Sequence, residues 1–153
     1  MSVKKILSIF GLCVLFVGCS TNKYYGDNSL TYSDNSPKSM GVRYLLGRGV
    51  KQDNEKAFYY FRKAANQNDA FAQNELAYMY AAGKGTPRED AKAFKWYKAA
   101  ANHGLISAQY NLALLYLHGI GTKADKKLAL EWLQKSAQGG FEPAHIKLNQ
   151  LNK

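Results

Sequence analysis

Cysteine is almost absent from this sequence: it holds only Cys13 and Cys19, both within the first twenty of 153 residues. Neither a disulfide framework nor a multi-cysteine zinc site is therefore available to the rest of the chain. Acidic side chains are also few, 11 against 21 Lys and Arg, for a formal charge of +10. They are scattered, with no sign of the paired carboxylates that glycoside cleavage uses, and the positive balance favours an anionic surface or partner. The longest apolar run, Ile6 to Val17, makes about 18 Å of helix and falls short of the roughly 30 Å hydrocarbon core. No permanent transmembrane span is expected. Nucleophile elbow, phosphate loop and dinucleotide fingerprint are all missing. What is present, 46% hydrophobic and 21% charged residues, is close to the globular average, and the length suits one domain.

Lys4 and Lys5 precede the apolar run, and Gly18-Cys19 closes it. A charged segment, an apolar segment and a small residue before a cut form the layout of an export signal. Phe16-Val17-Gly18-Cys19 resembles the bacterial lipobox, with Phe16 where Leu is preferred. The resemblance implies that residues 1–18 are a lipoprotein signal peptide, that the Cys19 thiol takes diacylglycerol, and that the amine freed by cleavage is acylated. Two or more acyl chains anchor a protein stably where one is marginal. Ser20 stands where Asp is the usual inner-membrane retention signal, so the resemblance points to the outer membrane. Loss of 1–18 removes two basic residues and no acidic one, leaving 19 against 11, or +8. Residues 19–35, rich in Ser, Asn, Thr and Gly and without helical period, read as a lipidated flexible tether. The sixteen residues after Cys19 reach roughly 20–25 Å from the membrane.

From Ser36 onward the chain repeats at a spacing of 36 residues. Ala72, Ala108 and Ala144 align, as do Leu76, Leu112 and Leu148, then Tyr44, Tyr80 and Tyr116. Gly47-x-Gly49, Gly83-x-Gly85 and Gly119-x-Gly121 follow, then Ala57, Ala93 and Ala129, with Tyr60, Trp96 and Trp132 three residues later. Residues 70–105 and 106–141 share 12 identities in 36, against two or three expected from ordinary composition. Each unit carries two helical patterns separated by a glycine break. Asp53 and Asp125 are placed to cap second helices, Gly104 and Gly140 to end them. Small Ala100 and Ala101 let paired helices approach, and Trp96 and Trp132 are expected to fill the core beside such positions.

This pattern resembles the Sel-one-like repeat, a longer relative of the tetratricopeptide repeat, from Met40 to Gly140 and again from Ala144. Thr86 and Thr122 depart from the Val seen at Val50, Glu89 replaces Asp, and Asn68 stands where Gly104 and Gly140 stand. Residues 36–153 are thus expected to form an all-α, right-handed α-solenoid of three helix pairs plus a terminal capping helix from about Pro143 to Leu151. Some members of the family carry a disulfide in each repeat. This chain has no cysteines there, so activities of that branch do not transfer.

His103, His118 and His145 occupy three different repeat positions without a carboxylate or second His at ligand spacing. No metal, cofactor or catalytic residue is expected, and the chain reads as non-enzymatic. Two surfaces are left for binding. One is a row on the first helices, Val42 and Leu45, then Asn74 and Tyr78, then Tyr110, Leu114 and Leu117, which either lines a groove for a protein or peptide segment or packs between repeats. The other is a basic face on the second helices, Lys56, Arg62, Lys63, Lys92, Lys95 and Lys98, broken in the third unit by Glu131 and Gln134. Such a face suits anionic lipid head groups or an anionic envelope polymer. The export signal argues against nucleic acid. The expected role is a membrane-anchored interaction scaffold in the cell envelope, with an inhibitor or accessory subunit of an envelope hydrolase as the alternative.

Overall fold

The computed structural model describes residues 34–151. The expected signal peptide, Cys19, nearly all of the expected tether, Asn152 and Lys153 lie outside them. Seven helices and no strand occur among the described residues: α1 (Pro37–Leu46), α2 (Asn54–Ala65), α3 (Ala70–Ala82), α4 (Asp90–Asn102), α5 (Ile106–His118), α6 (Lys126–Gln138) and α7 (Glu142–Leu151). Each helix packs chiefly on its neighbours in sequence. The result is an all-α repeat solenoid, with α1, α3 and α5 as first helices and α2, α4 and α6 as second helices.

Local chemistry sets the boundaries. Ser36 caps α1, with Pro37 at its first turn, and the carboxylates of Asp53, Asp69 and Asp125 accept backbone N–H bonds at the starts of α2, α3 and α6. Glu89 in the Asp position makes no such side-chain bond. First helices end on Gly47, Gly83 and Gly119 with φ of 69°, 66° and 63°. The second Gly of the break serves a different need. A Cβ on Gly85 would lie 2.1 Å from the Asn54 carbonyl oxygen, and one on Gly121 2.1 Å from that of Asp90. The loops of the second and third units therefore rest directly on the start of the second helix one unit earlier. The backbone N–H of Asp53, Glu89 and Asp125 donates back to the carbonyl of Tyr44, Tyr80 and Tyr116 at 2.9, 3.0 and 2.8 Å, closing each loop alike. Asn68, with φ 64°, takes the left-handed turn of Gly104 and Gly140, so its departure from glycine leaves the turn unchanged.

One expectation about the core is corrected. Trp96 and Trp132 are only partly buried and pack against the core from its flank. The large interior side chains of the second helices are Phe61, Tyr97 and Leu133, each one residue further on. Ala57, Phe61, Ala64 and Ala65 show why: they form an i, i+4, i+7, i+8 stripe, and the residue before the aromatic lies about 100° off it. Gly41 faces Phe61, and Ala77 and Ala113, at the same repeat position, lie in the core clusters that hold Tyr97 and Leu133. A Cβ on Gly41 would sit 2.7 Å from the Phe61 ring, so the ring occupies space that only glycine leaves.

Candidate functional site

The first helices α3 and α5 are buried on most sides, and their outer row divides between packing and surface. Val42, Tyr78 and Leu114 are 4, 8 and 3% exposed and belong to the packed interior. Leu45, Asn74, Tyr110 and Leu117 remain partly exposed. Phe141 lies 5.3 Å from Tyr110, ring centre to ring centre, and Lys84 Nζ sits 5.4 Å over the Tyr78 ring. The seven residues thus do not form one continuous open row: three of them are spent between helices.

A polar cluster unforeseen in the sequence lies beside this row. Asn111 Nδ2 donates to Asn74 Oδ1 at 3.2 Å across two repeats, and Asn74 Nδ2 donates to Glu75 Oε1 at 3.1 Å. Glu75 is 5% exposed, and burial pushes its carboxyl up to about 7 against the opposing pull of Asn74 and Lys84. Among the described residues no cation forms a salt bridge with it. The available signal was that Glu75 is the only charged residue on α3, at a register position shared by Ser39, Asn111 and Lys147. Gln73 is a second residue the sequence reading passed over. Its Nε2 donates to the Ala65 carbonyl at 3.2 Å, and its Oε1 lies 3.0 Å from His103 Nδ1. Gln109 repeats the reach to Ala101 at 3.5 Å. These amides satisfy the carbonyl ends of second helices, so their role is structural.

All six residues of the expected basic face are exposed. Lys56 pairs with Asp53 at 3.5 Å and Lys92 with Glu89 at 2.7 Å, while Arg62 stacks 5.6 Å over Phe58. Lys63, Lys95 and Lys98 form no ion pair among the described residues. Glu131 and Gln134 do interrupt the face on α6, but exposed Lys127 and Lys135 resume it, the latter 4.2 Å over the Trp132 ring. The histidines His103, His118 and His145 are exposed and apart. Among the described residues no three His, Cys, Asp or Glu gather as metal ligands.

The paired helices, the looped Gly-x-Gly closures and the 36-residue step define an α-helical repeat protein. The Sel1 repeat family model matches residues 39–69, 70–105 and 106–141, and the chain belongs to that family. It is similar to a Sel1 repeat protein from Oxalobacter formigenes at 38% identity and a TM-score of 0.70, over 74% of this chain and 86% of that one. It also resembles a protective antigen of uropathogenic Escherichia coli with an SLR fold, at 36% identity and a TM-score of 0.67, over 68% of this chain but only 22% of that one. Cysteine rich protein B of Helicobacter pylori shares the fold at 24% identity and a TM-score of 0.62, over 71% of this chain and 86% of that one. Among curated proteins no sequence matches significantly. Sel1 repeats in general mediate protein–protein interaction and form a scaffold that is generally non-catalytic.

Proposed function

We propose that this protein is a lipid-anchored adaptor of the bacterial cell envelope, held at the outer membrane through Cys19, that receives a protein segment on its first helices. The observation that carries this reading is the surface of α3 and α5. The two helices hold no Lys or Arg, and their one acidic residue, Glu75, is buried, so the exposed part of this surface carries no Asp, Glu, Lys or Arg. Partly exposed Asn74, Tyr110 and Leu117 stand on it beside the amide bridge from Asn74 to Asn111. Aromatic and amide groups with little charge suit the centre of a protein interface. The test is in intact cells: a photoreactive residue at Tyr110 should cross-link one reproducible protein, identified by mass spectrometry, and one at exposed Asn102 should not. The same partner captured from both positions would sink the assignment. The anchor is read separately, since labelled palmitate should enter the wild type and not Cys19→Ser.

A further inference from the structure

Charge on this molecule is sorted by helix type. The second helices α2, α4 and α6 hold nine Lys and Arg against three Asp and Glu, whereas the first helices α1, α3 and α5 hold two against one. Opposite walls of one solenoid therefore carry different potentials, and only the second-helix wall is strongly cationic. We propose that this wall lies on the anionic lipid head groups of the membrane that anchors the chain, turning the first helices toward water and the partner. The inference rests on the anchoring reading above.

Three observations converge on lipid as the occupant. Arg62, Lys63, Lys95, Lys98, Lys127 and Lys135 are all exposed and without salt bridges among the described residues, so their charge is not spent internally. Aromatic residues are interleaved with them: Tyr59 is 52% exposed between Lys56 and Arg62, and Trp96 and Trp132 are partly exposed on α4 and α6. Amphipathic rings among basic residues are the side chains that settle at the head-group level of a bilayer. The third observation is where the chain enters. Lys38 Nζ lies 3.1 Å from Asp69 Oδ2, which pins the start of α1 to the loop that follows α2. The last turn of α2, with Arg62 and Lys63, runs into that loop. The chain thus enters the solenoid beside the last turn of α2, where the basic wall begins.

The two tryptophans of the sequence both stand on second helices and report the contact without labelling. The mature protein, purified from cell membranes, is added to vesicles of phosphatidylcholine, or of phosphatidylcholine with about one quarter phosphatidylglycerol, each carrying a head-group spin label. Tryptophan quenching should be stronger with the anionic vesicles and should fade between about 0.05 M and about 0.5 M salt, as exposed charges are screened. The combined variant Arg62→Glu, Lys95→Glu, Lys98→Glu should keep its helicity and lose about half of that quenching or more, with Arg62→Gln, Lys95→Gln, Lys98→Gln in between. Trp96→Phe, Trp132→Phe and Leu117→Trp together move the indole to a first helix, where it should stay unquenched. Equal quenching in the two vesicle types, indifference to charge reversal, or equal quenching from both walls would each overturn the proposal and leave the basic wall to an acidic protein or polymer. Co-sedimentation with neutral vesicles reads the anchor independently. A chain left in that supernatant sinks the anchoring reading, while anionic-vesicle quenching still supports the face.

Discussion

Glu75 sits between helices with its carboxyl raised to about 7 by burial, and unfolding returns it to the ordinary 4.5. Between those values the folded chain holds more protons than the unfolded one, so stability falls as pH rises through this window and is unaffected by the group below it. Glu75→Gln keeps an oxygen for Asn74 and removes the charge. It should be more stable than the wild type above neutrality by up to about 3 kcal/mol, with the gap closing by about pH 4. Urea midpoints across that range decide it, and a gap that persists on acidification would mean that ionisation is not the cause. Glycine makes a second contrast. Gly85→Ala meets the Asn54 carbonyl at 2.1 Å while also holding φ at 64°, whereas Gly104 at φ 82° has nothing within 4 Å of its Cβ direction. The Gly104→Ala cost should be the backbone strain alone, about 1–2 kcal/mol, and Gly85→Ala should add about 1–3 kcal/mol for the clash. Equal losses from thermal melts of the two would show that the loop of the second unit does not bear on the first.

Helices were the most legible part of this chain, because their ends are written in residue types with fixed conformational duties. Ser36-Pro37, Asp53 and Asp125 mark starts, and Gly47, Gly83 and Gly119 mark ends, and the structure places each there. Which side of a helix faces inward was less legible. Trp96 and Tyr97 each lie within about 60° of Ala93 on the helical wheel, on opposite sides of it, and the repetition of Trp at positions 96 and 132 favoured the wrong neighbour. The structure gives the interior to Tyr97, 1% exposed. Tyr97→Ala should therefore cost about 3–5 kcal/mol, as for other buried aromatics. Trp96→Ala should cost about half that or less, because part of the indole area is never removed from water. Chemical denaturation of both variants checks the order, and a larger loss from Trp96 would restore the original register. Least legible was the cluster beside the candidate groove. The bond from Asn111 to Asn74 spans 37 residues and exists only because two repeats stack, so no window of sequence one unit long contains it. The same stacking consumed Val42, Tyr78 and Leu114, which look identical to groove residues when one helix is viewed alone.

A solenoid in which each helix packs chiefly on its sequence neighbours has stability that adds up from unit to unit, so its middle and its ends are unequal. α3 and α4 are flanked by helices on both sides, and nine of the thirteen residues of α3 are buried. At one end α7 buries only Ala144 and leaves Ile146 half exposed, and at the other α1 buries Ser39, Gly41 and Val42. Local opening therefore costs least at α7, where few apolar contacts are lost, and most at α3 to α5, where opening must break interfaces in both directions. Native-state hydrogen exchange should show amide protection rising from α7 through α6 to a maximum in α3, α4 and α5, and falling again toward α1. Ala144→Asp, which places a charge at the one buried site of α7, should collapse protection in α7 and lower it in α6 while leaving α3 and α4 near wild type. Uniform protection along the chain, or equal loss in every helix on that substitution, would mean that the repeats unfold as one cooperative unit. In that case the neighbour-by-neighbour account of this fold would fail.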